Sequence, residues 1–519
     1  MSSREDNVAP SLGPEARART ISLVIALVIG GLLLPSSHDF ALDDAWIHLA
    51  YAKSLRLGEG LSYNPGDWET GFSSPLWVIV LAVWPTGTEP VLPVKLLGLL
   101  LHGLCAWLAA HVVLELGRRR ATIEQPLPLL SLGLLGGALV AMSPPLVEAS
   151  TSGMEVPLAA ATILATTWAI VAQRPGPAAL LGMLSVWARP EALPWLCAFG
   201  AVAGWGWRRA ETAAARRAPW AAIAGGLLGL GVWIGWCLAV SGHPWPNTQY
   251  VKGAGGSVAG LTYLAEQVLP WQPWLVGLTG VALLALALRE DWRAGTGPHR
   301  RRPELWAAVV ATLASWIAIA VSRPLHPGTL FYESRYFAPV LPPLLLVMAF
   351  GLPRRPRWAA PMLVAPIAIV TGLQLSDVRT MVAAHEQDTA TLHTEVARWI
   401  AAELPRDAVV AVEGAGAIRY RAPRTMTIVD LVGLNDGEAA HRHFDRRAKM
   451  CHFVRRHPTH FAIPSSWAPQ FSGVFALRPM ARFVDPSYTQ VEPPHPQDVV
   501  VFAVEGVSPA WTDCDPAVR

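Results

Sequence analysis

Apolar stretches long enough to cross a lipid bilayer recur along the first 375 residues of the chain. A transmembrane helix needs about 20 consecutive apolar residues. The run Pro75–Trp84 is shorter and predicts a half-helix or an interfacial helix, whereas 177–207 is interrupted at Arg189-Pro-Glu191 and predicts two short helices that meet at a corner. In all, the pattern predicts a polytopic all-α bundle of about eleven transmembrane helices: 21–37, 91–117, 127–143, 154–172, the two halves of 177–207, 219–240, 273–289, 304–322, 336–352 and 358–375.

The composition agrees with a membrane protein. Of the 519 residues, 52% are hydrophobic and 15% are charged, whereas a soluble domain carries about 25% charged residues. Many of the 23 tryptophans lie near the ends of apolar stretches, where the membrane interface favours them. The net charge of +3 is small, so we expect no nucleic-acid partner.

Arginine is concentrated in the loops that fall on one side of the predicted bundle. Arg17 and Arg19 precede the first apolar stretch, so the positive-inside rule places residues 1–20 in the cytoplasm as an N-terminal tail. The arginine clusters that follow lie in loops on this same side, at 118–120, 208–209, 300–302 and 354–355. We therefore predict a multi-pass protein of the inner (plasma) membrane whose membrane domain, residues 21–375, ends on the extracytoplasmic side.

From about residue 376 the sequence becomes that of a soluble domain. Glu395–Ala402 predicts an amphipathic helix, and four apolar runs predict strands at Ala408–Val412, Thr427–Leu431, Thr459–Ile463 and Val499–Val504. We expect residues 376–519 to form a small extracytoplasmic α/β domain. Cys451 and Cys514 could pair in an oxidising compartment, but their positions in the sequence leave this open.

The polar loop 38–77 lies between the first two apolar stretches and contains adjacent carboxylates, Asp43 and Asp44. One aspartate could cap the helix predicted after it, because aspartate is a favoured N-cap residue. A single residue is enough for that role. A carboxylate can also remove the proton from a sugar hydroxyl as a general base. We predict that Asp43 and Asp44 have a catalytic role.

Three cations lie in predicted outer loops, where basic residues are scarce: Arg189, Lys252 and Arg335. They could bind a phosphate group, for which arginine offers two parallel hydrogen bonds and lysine a point charge. They could also reach lipid headgroups. Glu155 and Glu191 could pair with these cations and hold them in place.

No ligand spacing in the sequence indicates a metal site. Asp43 and Asp44, together with His243 and His326, could in principle hold a divalent cation. The sequence therefore predicts no required cofactor and leaves a divalent cation open.

Five segments, taken together and in this order, resemble the GT-C superfamily of membrane glycosyltransferases, most closely the mycobacterial terminal β-(1→2)-arabinofuranosyltransferase type. The first is the loop that contains Asp43-Asp44-Ala-Trp-Ile-His48 and ends in Gly71-Phe-Ser-Ser-Pro-Leu-Trp77. The other four are Ser152-Gly-Met-Glu155, Arg189-Pro-Glu191, Pro246-Asn247-Thr248 with Lys252, and Glu333-Ser-Arg335-Tyr-Phe-Ala-Pro339. The resemblance covers most of residues 40–340.

The resemblance implies a GT-C-like bundle, a polyprenyl-phosphate-linked sugar as donor, and catalytic roles for Asp43 and Asp44. The implied substrate pocket contains His48, Glu155, Glu191, Asn247 and Glu333. The sugar would be a pentofuranose such as arabinofuranose, and an extracytoplasmic glycan or lipid would accept it at the membrane. The alternative is a lipid or sugar transporter or flippase. Its ionisable groups would lie within spans, whereas the polar clusters here lie in loops.

Overall fold

The computed structural model describes residues 13–34, 39–120, 129–208, 210, 212–252, 303–322, 334–350, 359–442, 445–490 and 494–514. A bundle of helices extends to residue 389, and a C-terminal region (residues 390–514) is built around a five-stranded sheet. Buried apolar side chains of both parts belong to one continuous core. The C-terminal region therefore packs directly on the bundle.

The bundle is composed mainly of alanine- and leucine-rich helices, and several of them begin with proline, which the first helical turn accepts. Helix α4 packs against α1, α5 and α7, and α10 packs against α8 and α9. The helices are α1 Pro14–Gly31, α2 Asp43–Arg56, α3 Pro75–Val83, α4 Val91–Arg120, α5 Leu129–Ala141, α6 Pro144–Ala149, α7 Val156–Val171, α8 Pro175–Ala188, α9 Ala192–Gly206, α10 Ala213–Ser241, α11 Asn247–Lys252, α12 Pro303–Ser322, α13 Ser334–Phe337, α14 Leu341–Phe350 and α15 Ala359–Thr389.

Three helices in the described part of the chain are long and apolar enough to cross a membrane, namely Val91–Arg119, Ala213–Ser241 and Pro303–Ser322. Large apolar side chains are exposed at three- and four-residue spacing, which gives helices an apolar outer face suited to lipid. On α1 and α4 this face consists of Ile21, Val24, Val28, Leu32, Leu92, Leu96, Leu100 and Leu104. The count of about eleven crossings stays a prediction, and its stretch 273–289 lies outside the described residues.

The irregular parts of the bundle follow the sequence pattern. The stretch 177–207 forms the two helices α8 and α9, which meet at Arg189-Pro190, and the short run after Ser74 forms the nine-residue helix α3. Glycines bring α8 and α10 close together, because a Cβ at Gly182 or at Gly225 would overlap a backbone carbonyl of the other helix. Small residues allow this close approach in membrane helices.

The C-terminal region contains a mixed sheet in the order β4-β3-β5-β7-β6, whose strands are β3 Val409–Val412, β4 Thr427–Asp430, β5 His460–Ile463, β6 Phe475–Tyr488 and β7 His495–Val507. Strands β3, β4 and β5 are parallel, and β6 and β7 are antiparallel to their neighbours. The four predicted strands are present. The sequence did not predict β6, which contains Pro479 and Pro486; its position at the sheet edge explains how it accommodates them.

Short helices flank the sheet: α16 Glu395–Glu403, α17 Ala415–Arg421, α18 Gly437–His441, α19 Arg446–Arg455 and α20 Ala468–Ser472. A π-helical turn, Ala390–Thr394, joins α15 to α16. Helix α17 packs against α2. A hairpin of the loop after α2 (β1 Ser62–Asn64, β2 Asp67–Trp68) also contacts the region, because Tyr63 donates a hydrogen bond to the Ala415 carbonyl at 2.7 Å. Cys451 and Cys514 form a disulfide.

Candidate active site

Asp43 and Asp44 occupy the first turn of α2, where the helix dipole favours negative charge. Leu42 is the N-cap residue, and no side chain caps this helix end. The two carboxylates therefore do not serve as helix caps. They make separate contacts, one with the bundle and one with the C-terminal region.

Asp44 joins two of the three predicted phosphate-binding cations. Its Oδ2 accepts hydrogen bonds from Lys252 Nζ at 3.0 Å and from an Arg335 guanidinium nitrogen at 2.9 Å. Burial would raise the pKa of Asp44, but the Lys252 and Arg335 charges outweigh this effect and hold the pKa well below its ordinary value. Asp44 is thus a stable carboxylate that positions both cations.

Arg189, the third predicted cation, lies in the same cluster. It is 3% exposed, its guanidinium lies 3.1 Å from Glu155 Oε1, and it donates to the Arg335 carbonyl at 3.1 Å. The guanidinium also lies over the ring of Tyr336, at 4.8 Å from its centroid. The buried ion pair with Glu155 fixes Arg189 next to Arg335.

His48 completes this cluster from the next turn of α2. Its Nδ1 lies 2.9 Å from the Asp44 carbonyl, and its Nε2 lies 4.0 Å from Glu155 Oε2. His48 Nε2 and Glu155 Oε2 are buried, and neither has a hydrogen-bond partner among the described residues. Such atoms are suited to a polar ligand, because a buried polar atom without a partner is unfavourable.

The cluster surrounds a small pocket of about 30 Å³, which is lined by all three cations and by Asp44, Glu155 and His48. Three permanent cations face two carboxylates there, so the pocket is electropositive. Arginine and lysine in this arrangement are typical of sites that bind phosphate oxygens.

Asp43 is held by the C-terminal region. Its Oδ2 accepts the Gly416 N–H at 2.7 Å and its Oδ1 accepts the Ala417 N–H at 2.8 Å. His393 Nδ1, in the π-helical turn, lies 4.0 Å from Asp43 Oδ1. From the sequence, Gly414-Ala-Gly416 predicts only a plain turn after a strand. Its two glycines were the one feature that could have indicated a close contact.

A larger cavity of about 300 Å³ lies on the other side of Asp44, between α2 and the C-terminal region. Its polar lining comprises Asp43, Asp44, Lys252, His393, Glu413 and Gln490. Burial raises the pKa of Glu413; a positive charge on His393 opposes this effect, and the negative charge of Asp43 adds to it. Asp44 and Lys252 line both spaces, so they form the wall between the electropositive pocket and the larger, acidic cavity. The sequence did not indicate His393 or Glu413 as site residues, because neither lies in a predicted outer loop of the membrane domain.

Two other predicted pocket residues, Asn247 and Glu191, lie beside the cluster. Asn247 is fully buried and bonds Thr70 and Glu69, through Oδ1 at 2.9 Å and Nδ2 at 2.8 Å. It thereby fixes the start of α11, whose last residue is Lys252. Glu191 lies 3.4 Å from the Arg189 guanidinium. Glu333 lies outside the described residues.

Within the described ranges, no group of three or more histidine, cysteine or acidic side chains is placed to hold a metal ion. The question of a divalent cation that the sequence left open stays open for the remaining residues.

Comparison with solved structures identifies the fold. ArnT from Cupriavidus metallidurans bound to undecaprenyl phosphate matches with a TM-score of 0.57 and 15% sequence identity, over 93% of this chain and 97% of that chain. The apo state of ArnT from the same organism matches with a TM-score of 0.55 and 16% identity over the same shares. This chain is similar in fold to ArnT. The predicted arrangement of a helical bundle followed by a C-terminal α/β region is therefore confirmed as a fold, and membership of the GT-C superfamily stays a prediction.

Sequence comparisons add a family without an assigned role. The family described as Domain of unknown function (DUF8728) matches residues 378–502, which cover most of the C-terminal region. No curated protein matches the chain significantly in sequence. The ArnT similarity does not extend to the arabinofuranosyltransferase type, which stays a prediction.

Proposed function

We propose that this protein is an integral-membrane glycosyltransferase that transfers a sugar from a polyprenyl-phosphate donor to an acceptor hydroxyl. One observation carries the proposal: Asp44 binds Lys252 and Arg335 at the wall between an electropositive pocket and a larger cavity. Two adjoining spaces, one suited to phosphate and one acidic, match the two substrates of such a transfer. The fold similarity to ArnT, one structure of which is bound to undecaprenyl phosphate, supports a lipid-phosphate donor.

The donor phosphate binds at Lys252 and Arg335, with Arg189 behind them. As the bond between the anomeric carbon and the phosphate oxygen breaks, its electron pair stays with the phosphate. The negative charge that develops there is stabilised by fixed cations, and such electrostatic stabilisation is a large part of catalysis. Asp44 holds Lys252 and Arg335 in position, so it acts on the donor side.

Asp43 acts on the acceptor side as the general base. The acceptor oxygen forms a bond to the anomeric carbon, and its proton passes to the Asp43 carboxylate. The two N–H groups of α17 fix this carboxylate, and a fixed base next to the reacting oxygen avoids the entropy of orienting it. The reaction needs no nucleotide sugar, because the lipid phosphate is the leaving group.

The identity of the transferred sugar is inferred from the loop 38–77, which resembles that of the terminal arabinofuranosyltransferase type. We propose a pentofuranose such as arabinofuranose as the transferred sugar. We further propose that Asp43 and Asp44 lie on the extracytoplasmic face, as the distribution of arginine indicates, and that residues 376–519 form a domain there.

The test is turnover of the purified protein in lipid nanodiscs with synthetic polyprenyl-phosphate sugars, including the arabinofuranose donor. Asp43→Asn should lower kcat by about 10²–10⁴-fold, the usual contribution of a general base, and leave the donor KM near that of the wild type. Asp44→Asn should raise the donor KM. If Asp43→Asn retains the wild-type kcat, Asp43 is not the base, and if Asp44→Asn retains the wild-type donor KM, Asp44 does not act on the donor side. Uptake into sealed vesicles without a covalent product would instead establish a transporter.

A further inference from the structure

The cavity between α2 and the C-terminal region has a composition that restricts what it can bind. We propose that it is the acceptor subsite, that it takes an uncharged carbohydrate, and that Glu413 and His393 bind hydroxyls next to the one that reacts. This inference deepens the proposed function and rests on it. It concerns residues of the C-terminal region, far in sequence from the loop that supplies Asp43 and Asp44.

The charge of the cavity disfavours an anionic acceptor. Its described lining contains two carboxylates, Asp43 and Asp44, and a third carboxyl, Glu413, whose neutral form is favoured by burial, whereas Lys252 is the one permanently charged cation in that lining. Lys252 is bound to Asp44 at 3.0 Å. Because Lys252 already offsets Asp44, a phosphate or carboxylate next to the reacting hydroxyl would face the like charge of Asp43, which disfavours binding. A neutral sugar meets no such repulsion.

Glu413 and His393 are suited to hydroxyl groups. Burial of Glu413 favours its protonated form, and a protonated carboxyl both donates and accepts a hydrogen bond, as a sugar hydroxyl does. His393 Nδ1 is buried and has no hydrogen-bond partner among the described residues. Gly414 lets the imidazole lie against the chain, because a Cβ there would overlap Nδ1. A ligand hydroxyl would give both groups a partner.

The other walls fit the carbon framework of a sugar. Ile47, Val432 and Leu434 supply apolar surface, and Tyr488 lies at the side of the cavity. The segment that carries Tyr488 is fixed, because Asp388 Oδ2 accepts both the backbone N–H and the hydroxyl of Thr489 at 2.8 Å. A volume of about 300 Å³ is at the lower end of ligand pockets, which range from about 300 to 1,000 Å³. It matches one or two sugar units.

The experiment compares acceptors and variants in the transfer assay with a polyprenyl-phosphate sugar. The acceptors are neutral methyl pentofuranosides and methyl glucoside, with methyl glucuronide as the anionic counterpart of methyl glucoside. Wild-type protein should transfer to neutral acceptors and reject the glucuronide. Glu413→Ala and His393→Ala should each raise the acceptor KM by about 3- to 10-fold, the effect of one lost hydrogen bond, with little change in donor KM.

A conservative substitution of Glu413 and a substitution remote from the cavity distinguish a loss of acceptor binding from a loss of folding. Glu413→Gln keeps a donor and an acceptor atom, so it should restore the acceptor KM to within about threefold of the wild type, a smaller loss than that of one hydrogen bond. Glu505→Ala removes an exposed carboxyl of β7, which pairs with Arg478 at 2.8 Å, and should change neither KM. Equal use of glucuronide and glucoside, or an unchanged acceptor KM in both alanine variants, overturns the acceptor proposal. Transfer of the sugar to any of the acceptors, the glucuronide included, would show that the transferase function stands in that case, whereas no donor consumption at all overturns both.

Discussion

The contact between Gly416 and Asp43 offers a substitution with a calculable effect. An added Cβ at Gly416 would overlap the Asp43 carbonyl oxygen and come within 2.8 Å of both Asp43 Oδ1 and Trp46 Cβ. Because a carbon–oxygen contact needs about 3.3–3.6 Å, Gly416→Ala should separate α17 from α2 by about 1 Å. This backbone oxygen cannot rotate away as a side chain can.

A shift of this size would break the hydrogen bonds that hold Asp43. The two N–H donors now lie 2.7 and 2.8 Å from the carboxylate, and about 1 Å more exceeds hydrogen-bond length. Each bond to a charged group contributes about 1.5–3 kcal/mol. A catalytic group displaced by about 1 Å costs about 10²-fold in rate. We therefore expect Gly416→Ala to lower kcat about 100-fold and to leave the donor KM within about threefold, since Lys252 and Arg335, which hold Asp44, belong to the bundle and not to α17.

The assay is steady-state transfer in nanodiscs, with thermal unfolding measured on the same samples. Gly473→Ala is the matched control, because Gly473 has a φ of −76° and an added Cβ would meet nothing within 4 Å. It should behave as the wild type. If Gly416→Ala keeps wild-type kcat while remaining folded, the position of Asp43 does not matter for turnover and its role as the base is refuted.

Two further outcomes concern the donor side and pH. Lys252→Met removes a charged hydrogen bond to the proposed phosphate and should raise the donor KM by about 10- to 100-fold; an unchanged donor KM in saturation curves would contradict phosphate binding by Lys252. Burial raises the pKa of Glu69 to about 7 from 4.5, so the folded state binds this proton more tightly than the unfolded chain does. Its stabilising effect is therefore complete below about pH 4.5 and is lost as the pH rises through 7, by up to about 3 kcal/mol. Glu69→Gln should reduce the fall in Tm between pH 5 and pH 8, and an identical fall in wild type and variant would exclude Glu69 as its cause.

Much of the fold was predictable because helix breaks, short helices and strands each leave a pattern in neighbouring residues of the sequence. Apolar length and proline positions were sufficient for the corner at Arg189-Pro190 and for the short helix α3, and β-type apolar runs were sufficient for four strands. Strand β6 was not predicted, because Pro479 and Pro486 are incompatible with a central strand and the sequence does not reveal that this strand lies at an edge.

The candidate site also has some features that are visible in the sequence and others that are not. Aspartates in a membrane-flanking loop and cations in cation-poor loops are visible as local anomalies, and Asp44, Lys252, Arg189 and Arg335 do lie together. The partners of Asp43 are 373 and 374 residues away in sequence. Backbone N–H groups have no signature in the sequence, so neither this contact nor the cavity at Glu413 was predictable from spacing.

An experimental structure of the protein with a bound polyprenyl phosphate tests the central claim most directly. We expect the phosphate oxygens within hydrogen-bond distance of Lys252 Nζ and the Arg335 guanidinium, with Asp43 facing the neighbouring cavity. A phosphate bound elsewhere, for example at Arg118 and Arg119 near the C-terminal end of α4, with Lys252 and Arg335 still closed on Asp44, would contradict this expectation.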